Sequence, residues 1–241
     1  KMRKILVWGK GEPWVKERVR SVSLRRLRTD VLPYRQEKRR ETIRVDCLTL
    51  EATRLCDEIM DRLARLDRDP EKALERAMDR RGADFEEIAK TRAALAVLKV
   101  KAASELLDQF RDAGRPIVLF SAHRAPVEAL STRPKWAQIL GGTSAEARAW
   151  AVEQFQAGDL EGIAATIGAA GTGIKLTRAA DVVFVDRDWS PMLNVQAEDR
   201  VAGFGQILQV TVTTLVADHE LDRMVERVIR RKTAVAESAG V

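Results

Sequence analysis

The chain has 241 residues, of which 45% are apolar and 32% charged, with a net charge of +6 and an isoelectric point of about 9.5. That is enough apolar residue for one large domain with a proper core, or one domain with an appended arm. No stretch approaches the length of apolar sequence that spans a bilayer, and Lys1-Met2-Arg3-Lys4-Ile5 does not open a signal peptide, so an intracellular, membrane-free protein is expected. Cys47 and Cys56 form no ligand cluster, and His123 and His219 lie far apart, which speaks against a metal site and suits a reducing compartment. The excess of Lys and Arg favours polyanions, although a soluble protein can be basic without binding any.

Basic residues cluster at Arg25-Arg26, Arg28, Arg35 and Lys38-Arg39-Arg40, with Pro33 between, and predict an irregular arm. Thr42 to Leu48 alternates as a strand does. Glu51 to Leu66 predicts a helix with Leu55, Ile59 and Leu63 on one face, broken at Asp69-Pro70. A second helix runs to about Arg81. Asp84 to Ala113 reads as one long helix with a stripe of Leu95, Leu98, Ala102, Leu106 and Phe110, ended by Gly114. From there strands and helices alternate. Strands are predicted at Ile117–Phe120, Gln138–Leu140, Gly162–Ile167, Val182–Val185 and Gln209–Val216. Between them a helix is predicted around Val127 to Ser131, and one capped by Ser144 with Ala147, Trp150, Ala151 and Phe155 inward. A last helix capped by Asp218 turns Leu221, Met224, Val225, Val228 and Ile229 inward. Alternation of this kind implies an α/β fold with a mainly parallel sheet between helical layers.

Two stretches carry chemistry. Gly168-Ala169-Ala170-Gly171-Thr172-Gly173 follows a strand and can either cradle a phosphate or form a tight turn without ligand. It nearly imitates a nucleotide-binding P-loop, but Ile174 holds the lysine position and Lys175 comes one residue late. Downstream of Trp189-Ser190-Pro191, residues Gln196, Asp199 and Arg200 fall at helical spacing on one face. They suit either a phosphate held by arginine or a solvated helix flank.

The chain resembles the second RecA-like lobe of Swi/Snf-type ATPases, DNA motors of helicase superfamily two, nearest to compact annealing-helicase-like bacterial or phage members. Ile117 to Leu130 is similar to motif IV. Gly141-Gly142-Thr143-Ser144 with Arg148 and Phe155 is similar to the family's G-x-T-S segment, and Ala169 to Asp186 to motif V. Trp189-Ser190-Pro191 resembles the WxP element, Gln196 to Gln206 resembles motif VI (QAxDRxHRIGQ), and Leu24 to Pro33 the linker into this lobe. The resemblance implies a three-layer RecA-like lobe over residues 114–241 with a C-terminal helix, a helical protrusion over 51–113, and a linker arm over 1–50. It also implies ATP and Mg²⁺ as cofactors, double-stranded DNA as partner through its backbone, and a first RecA-like lobe in the same or another chain. Such a protein would be cytoplasmic and nucleoid-associated, or nuclear in a eukaryote. By the same resemblance Arg200 is the catalytic arginine, and Gln196, Asp199, Arg200, Gly171 and Gly173 face ATP. Ser121, Ala122, His123, Thr172 and Trp189 face DNA, Trp189 being equally suited to a packing role.

Two departures stand out. Gly203 occupies the arginine-finger position, where an arginine is worth about 10³- to 10⁵-fold in turnover. Arg200 and Arg187 are the nearest substitutes. No GxxxxGK[ST] motif and no acidic Mg²⁺ box at a strand end occur in these 241 residues. The expectation is therefore a motor lobe inactive alone, a fragment or half of a split motor. The alternatives are a decayed DNA- or protein-binding module, or a self-contained P-loop protein using Gly168 to Lys175.

Overall fold

The computed structural model describes residues 37–80, 82–170 and 173–239. Among these residues six strands form one sheet: β1 (Arg39–Val45), β2 (Ile117–Ser121), β3 (Trp136–Ile139), β4 (Gly162–Thr166), β5 (Asp181–Phe184) and β6 (Thr211–Ala217). Their order is β1-β6-β5-β2-β4-β3 and every pairing is parallel. The apolar runs seen in the sequence fit this arrangement, because a strand covered on both faces needs apolar residues at successive positions. Accordingly β2 and β5 are buried throughout.

The helices are α1 (Leu50–Leu66), α2 (Pro70–Arg80), α3 (Ala83–Leu98), α4 (Val100–Asp112), α5 (Arg124–Leu130), α6 (Ala145–Ala157), α7 (Ile167–Ala170), α8 (Pro191–Val201) and α9 (Glu220–Ala239). On one face of the sheet, Ala151 and Phe155 of α6 and Ala197 and Val201 of α8 pack on Phe120, Ile163 and Val182. On the other face Ala103 and Leu107 of α4 and Val127 and Leu130 of α5 pack on Leu119, Ala164 and Val183. A third core joins α1, α2 and α3 to Leu221, Met224, Val225, Val228 and Ile229 of α9. No helix among the described residues is long and apolar enough to cross a membrane.

Several elements differ from expectation. The first strand starts at Arg39 and ends at Val45. It is the outer strand of the sheet, paired with β6 from Arg39↔Thr211 to Val45↔Ala217, and not part of an arm. The long helix is two helices meeting at Lys99. Its buried stripe is Leu95, Ala96, Lys99, Ala103 and Leu107, one position round from the expected one. Lys99 is part of that stripe: its Nζ is buried, 2.6 Å from an Asp222 oxygen and 3.0 Å from the Leu215 carbonyl. A charge can lie inside when it is paired and hydrogen-bonded in this way. Trp150, expected inward on α6, is 55% exposed, since α6 turns Ala151 and Phe155 to the sheet instead. At the start of α9 the cap is His219, whose Nδ1 accepts from the Leu221 N–H at 3.1 Å. Asp218 instead pairs with Arg223.

Gly162 shows how tightly β4 is packed. Its register partner is Trp136, and a Cβ at residue 162 would lie 2.4 Å from the indole ring. Gly162→Ala is therefore expected to lower stability by about 1–3 kcal/mol through overpacking, read from urea unfolding against wild type.

Candidate functional site

Because all strands run in parallel, the loops that follow them leave one edge of the sheet, the edge where open α/β sheets bind ligands. The loop after β2 begins at Ser121, which is fully buried. The Ser121 hydroxyl donates to Asp186 and accepts from the His123 N–H at 3.0 Å, so the backbone turns back on itself. His123 Nδ1 lies 2.8 Å from the second Asp186 carboxylate oxygen. Asp186 follows β5, next to β2, and the Val185 N–H donates to the Phe120 carbonyl at 2.9 Å. Burial by itself would raise the Asp186 pKa. The hydrogen bond and charge of His123, the charge of Arg92 and the Ser121 hydroxyl together outweigh it and hold the carboxyl below its ordinary value. Ala122 is half-buried against the core.

Trp189 is half-buried. It packs on Phe85 of α3 with ring centroids 5.4 Å apart, and the Arg92 guanidinium lies 4.2 Å over its ring. The Arg92 Nη2 donates to the Arg187 carbonyl at 2.6 Å. Trp189 thus ties the segment before α8 to the helical unit, which fits the packing role considered for it.

The loop after β4 becomes the short helix α7, with Ile167, Ala169 and Ala170 buried. Gly171 and Thr172 lie outside the described residues, and Gly173 is exposed. The chain then descends to the opposite, amino edge of the sheet, where β5 begins. There Lys175 Nζ stands 6.0 Å from the Phe204 ring, beside Gly205. Lys175 therefore closes no phosphate loop, and the self-contained P-loop reading fails.

Helix α8 starts with Pro191 in its first turn, where a missing N–H costs nothing, and runs back toward that amino edge. Ala197, Glu198 and Val201 face inward. Gln196 is exposed, and Asp199 and Arg200 are half-buried on the flank. The Arg200 carbonyl accepts from the Leu176 N–H at 2.9 Å, so the motif V descent is bound to the end of α8. Gln206 reinforces this join, its Nε2 donating to the carbonyls of Ala179 at 2.6 Å and Thr177 at 3.1 Å. The turn before Gln206 uses Gly205 at φ +95°, a backbone region open to glycine. Gly203 is half-buried in the same turn and carries no side chain toward anything.

Glu198 is the residue that sequence reasoning missed. Fully buried, it meets Lys38 at 2.9 Å, Arg40 at 2.8 Å and Arg187 at 2.9 Å. Lys38 also reaches Asp199 at 3.0 Å, and Arg187 reaches Glu226 of α9 at 3.4 Å. Burial pushes the Glu198 pKa up, but Lys38, Arg40 and Arg187 more than offset it and the carboxyl sits below its ordinary value. Arg187 is therefore committed to internal ion pairs. An acid at a position the motif leaves open gave no sequence signal. The run Lys38-Arg39-Arg40 was the available clue, since a buried acid needs basic partners.

Known proteins share this architecture. Residues 98–205 match the helicase conserved C-terminal domain. A SWI/SNF-related matrix-associated actin-dependent regulator of chromatin subfamily A-like protein 1 from Drosophila melanogaster is 28% identical over 224 residues, covering 90% of this chain and 28% of the relative. The human DNA annealing helicase and endonuclease ZRANB3 is 28% identical over 226 residues, covering 90% of this chain and 20% of the relative. The chain thus spans less than a third of the length of either. Among solved structures, the C-terminal part of the Fun30 ATPase domain superposes with a TM-score of 0.59 at 15% identity, covering 84% of this chain and 95% of that one. The all-parallel six-stranded sheet, the motifs along it and these matches together mark a helicase C-terminal lobe similar to those of the Swi/Snf-type ATPases of superfamily two.

Proposed function

We propose that the chain is the second motor lobe of an ATP-dependent double-stranded DNA translocase or remodeller. It would grip DNA phosphates with the loops after β2 and β4, and ATP with the flank of α8. The observation that carries this reading is the meeting of Ser121, His123 and Asp186 at the carboxyl edge of neighbouring strands, with the α7 loop leaving the same edge. The residues present fit one side of a nucleotide site. Gln196 is exposed and Arg200 half-buried on α8, next to the Gly203 turn. ATP and Mg²⁺ would be held mainly by a first lobe, with Arg200 placed to meet phosphate charge. Ala122, Gly171, Thr172 and Gly173 belong to the same reading as backbone contacts, and Asp199 as the acid that steadies α8 through Lys38. A nuclear or nucleoid setting follows from DNA as partner.

Gly203 favours a second reading, a lobe that binds DNA or a protein but has lost catalysis, because no donor stands at the finger position.

Binding to duplex DNA tests the first reading directly. The chain is expected to bind without sequence preference, with a log–log salt slope of roughly −0.9 per phosphate contacted. Fluorescence anisotropy across a salt series measures it. A flat salt response, or a marked preference for one sequence, would count against a phosphate-gripping lobe.

A further inference from the structure

We propose that Asp186 is a positioning residue for DNA binding: it holds the His123 imidazole so that the His123 side chain itself becomes a phosphate ligand. The inference rests on the DNA-binding reading above.

Both oxygens of the Asp186 carboxylate are occupied from the loop after β2, one by the Ser121 hydroxyl and the other by His123 Nδ1 at 2.8 Å. An ionised carboxylate can only accept, so Nδ1 must carry a proton. The imidazole is a quarter exposed, its side chain at 26%, and Nε2 has no hydrogen-bond partner among the described residues. A buried carboxylate that fixes one ring nitrogen of a histidine and leaves the other to a ligand is how imidazoles are oriented in metal sites. Here the ligand facing the loop would be a phosphodiester. For Nε2 to donate to it the ring must be an imidazolium, with one N–H on Asp186 and the other on phosphate, so binding takes up a proton at His123.

Among the described residues, few groups face the pair. Asp186 and the Ser121 hydroxyl come from the neighbouring strand ends, and Arg92 approaches from α3 with its Nη2 donated to the Arg187 carbonyl. Arg124, next along α5, is paired with Glu128 at 2.7 Å. The carboxylate therefore has the charge needed to hold an imidazolium against a phosphate, and it is kept ionised by its own partners.

The test uses the chain itself with a short duplex of mixed sequence, at constant salt and at pH about 6 and about 8, across the histidine range. Wild type, Asp186→Asn, His123→Ala and the double variant are compared. Wild type should bind more tightly at the lower pH. Each single variant should lose about tenfold there, as for a hydrogen bond to a charged group, and the pH dependence should vanish. The double variant should lose no more than either single one. Long-range ¹H–¹⁵N spectra should show the Nδ1–H tautomer in neutral wild type and its loss in Asp186→Asn. His123→Ala removes no buried charge and keeps the test sharp if Asp186→Asn folds poorly. Wild-type binding that is unaltered in His123→Ala, additive losses in the double variant, or an Nε2–H tautomer in wild type would each overturn the inference while leaving the lobe a DNA binder. If wild type fails to bind duplex even at low salt, the DNA-binding reading fails and the inference with it.

Discussion

Replacing Gly203 with arginine, in this chain joined to a Swi/Snf-type first lobe, is expected to raise DNA-stimulated ATP hydrolysis by about 10³- to 10⁵-fold. The glycine stands where the family's motif VI resemblance places the finger, and it offers no donor to the charge that develops on the γ-phosphate. The site admits the change. A Cβ at residue 203 would meet the Asp199 carbonyl at 3.1 Å and the Thr177 methyl at 3.7 Å, so the turn has to give by a few tenths of an ångström. The turn is half-buried and its φ is not among the positive ones, so that adjustment is a small one. Arg187 cannot take over, since both its outer nitrogens are committed to Glu198 and Glu226 inside the lobe. Arg200→Ala should accordingly abolish the trace of activity that remains without the new arginine. Steady-state hydrolysis with and without duplex DNA measures both effects. Full turnover with Gly203 unchanged would show that Arg200 already serves as the finger.

The second large effect concerns stability. Glu198→Gln is expected to destabilise the lobe by about 3 kcal/mol at neutral pH, because it takes the nearer of two carboxylates from Arg187, which cannot turn to water and keeps only Glu226 at 3.4 Å. Lys38 and Arg40 are partly exposed and can relax, which keeps the figure toward the low end for a broken buried pair. The pH dependence follows from the depressed Glu198 pKa. The unfolded chain takes up the proton first on acidification, so the stabilisation is complete above the ordinary glutamate range and is lost as pH falls through the depressed value. Thermal unfolding of wild type and variant across that range should show their difference shrinking in acid. A difference that persisted unchanged at low pH would assign Glu198 a packing role instead.

Most strands and helices were legible because the physics behind them is local. A buried parallel strand must be an apolar run, as in Ile117–Phe120, and a helix on a core must carry an apolar stripe, as in Ile59 and Leu63 of α1. What stayed illegible involved charges whose partners lie far along the chain. A lysine is an unexpected member of a buried stripe, and Lys99 can lie there because Asp222, 123 residues on, pairs with it. Glu198 looked like one more polar residue on a helix flank until Lys38, some 160 positions earlier, closed on it. The same holds at the site. Resemblance pointed to Ser121 and His123, yet the partner that holds them, Asp186, sits 65 and 63 residues away. Trp150 misled for the opposite reason, a large apolar residue left on the surface where pattern alone would bury it.

The placement of β1 also bears on how the chain is made. Its ladder with β6 joins residues 172 apart, with all of α1 to α8 in between. On the ribosome, Arg39–Val45 emerges long before Thr211–Ala217 exists, so an aligned row of unpaired backbone groups must wait for almost the whole lobe to be synthesised. Such distant pairing is entropically slow, and a waiting strand invites intermolecular pairing. Arg39, Arg40, Glu41 and Arg44 supply this seven-residue strand with the charges that discourage it. The edge strand is thus protected during biosynthesis by the composition that made it look like a basic arm.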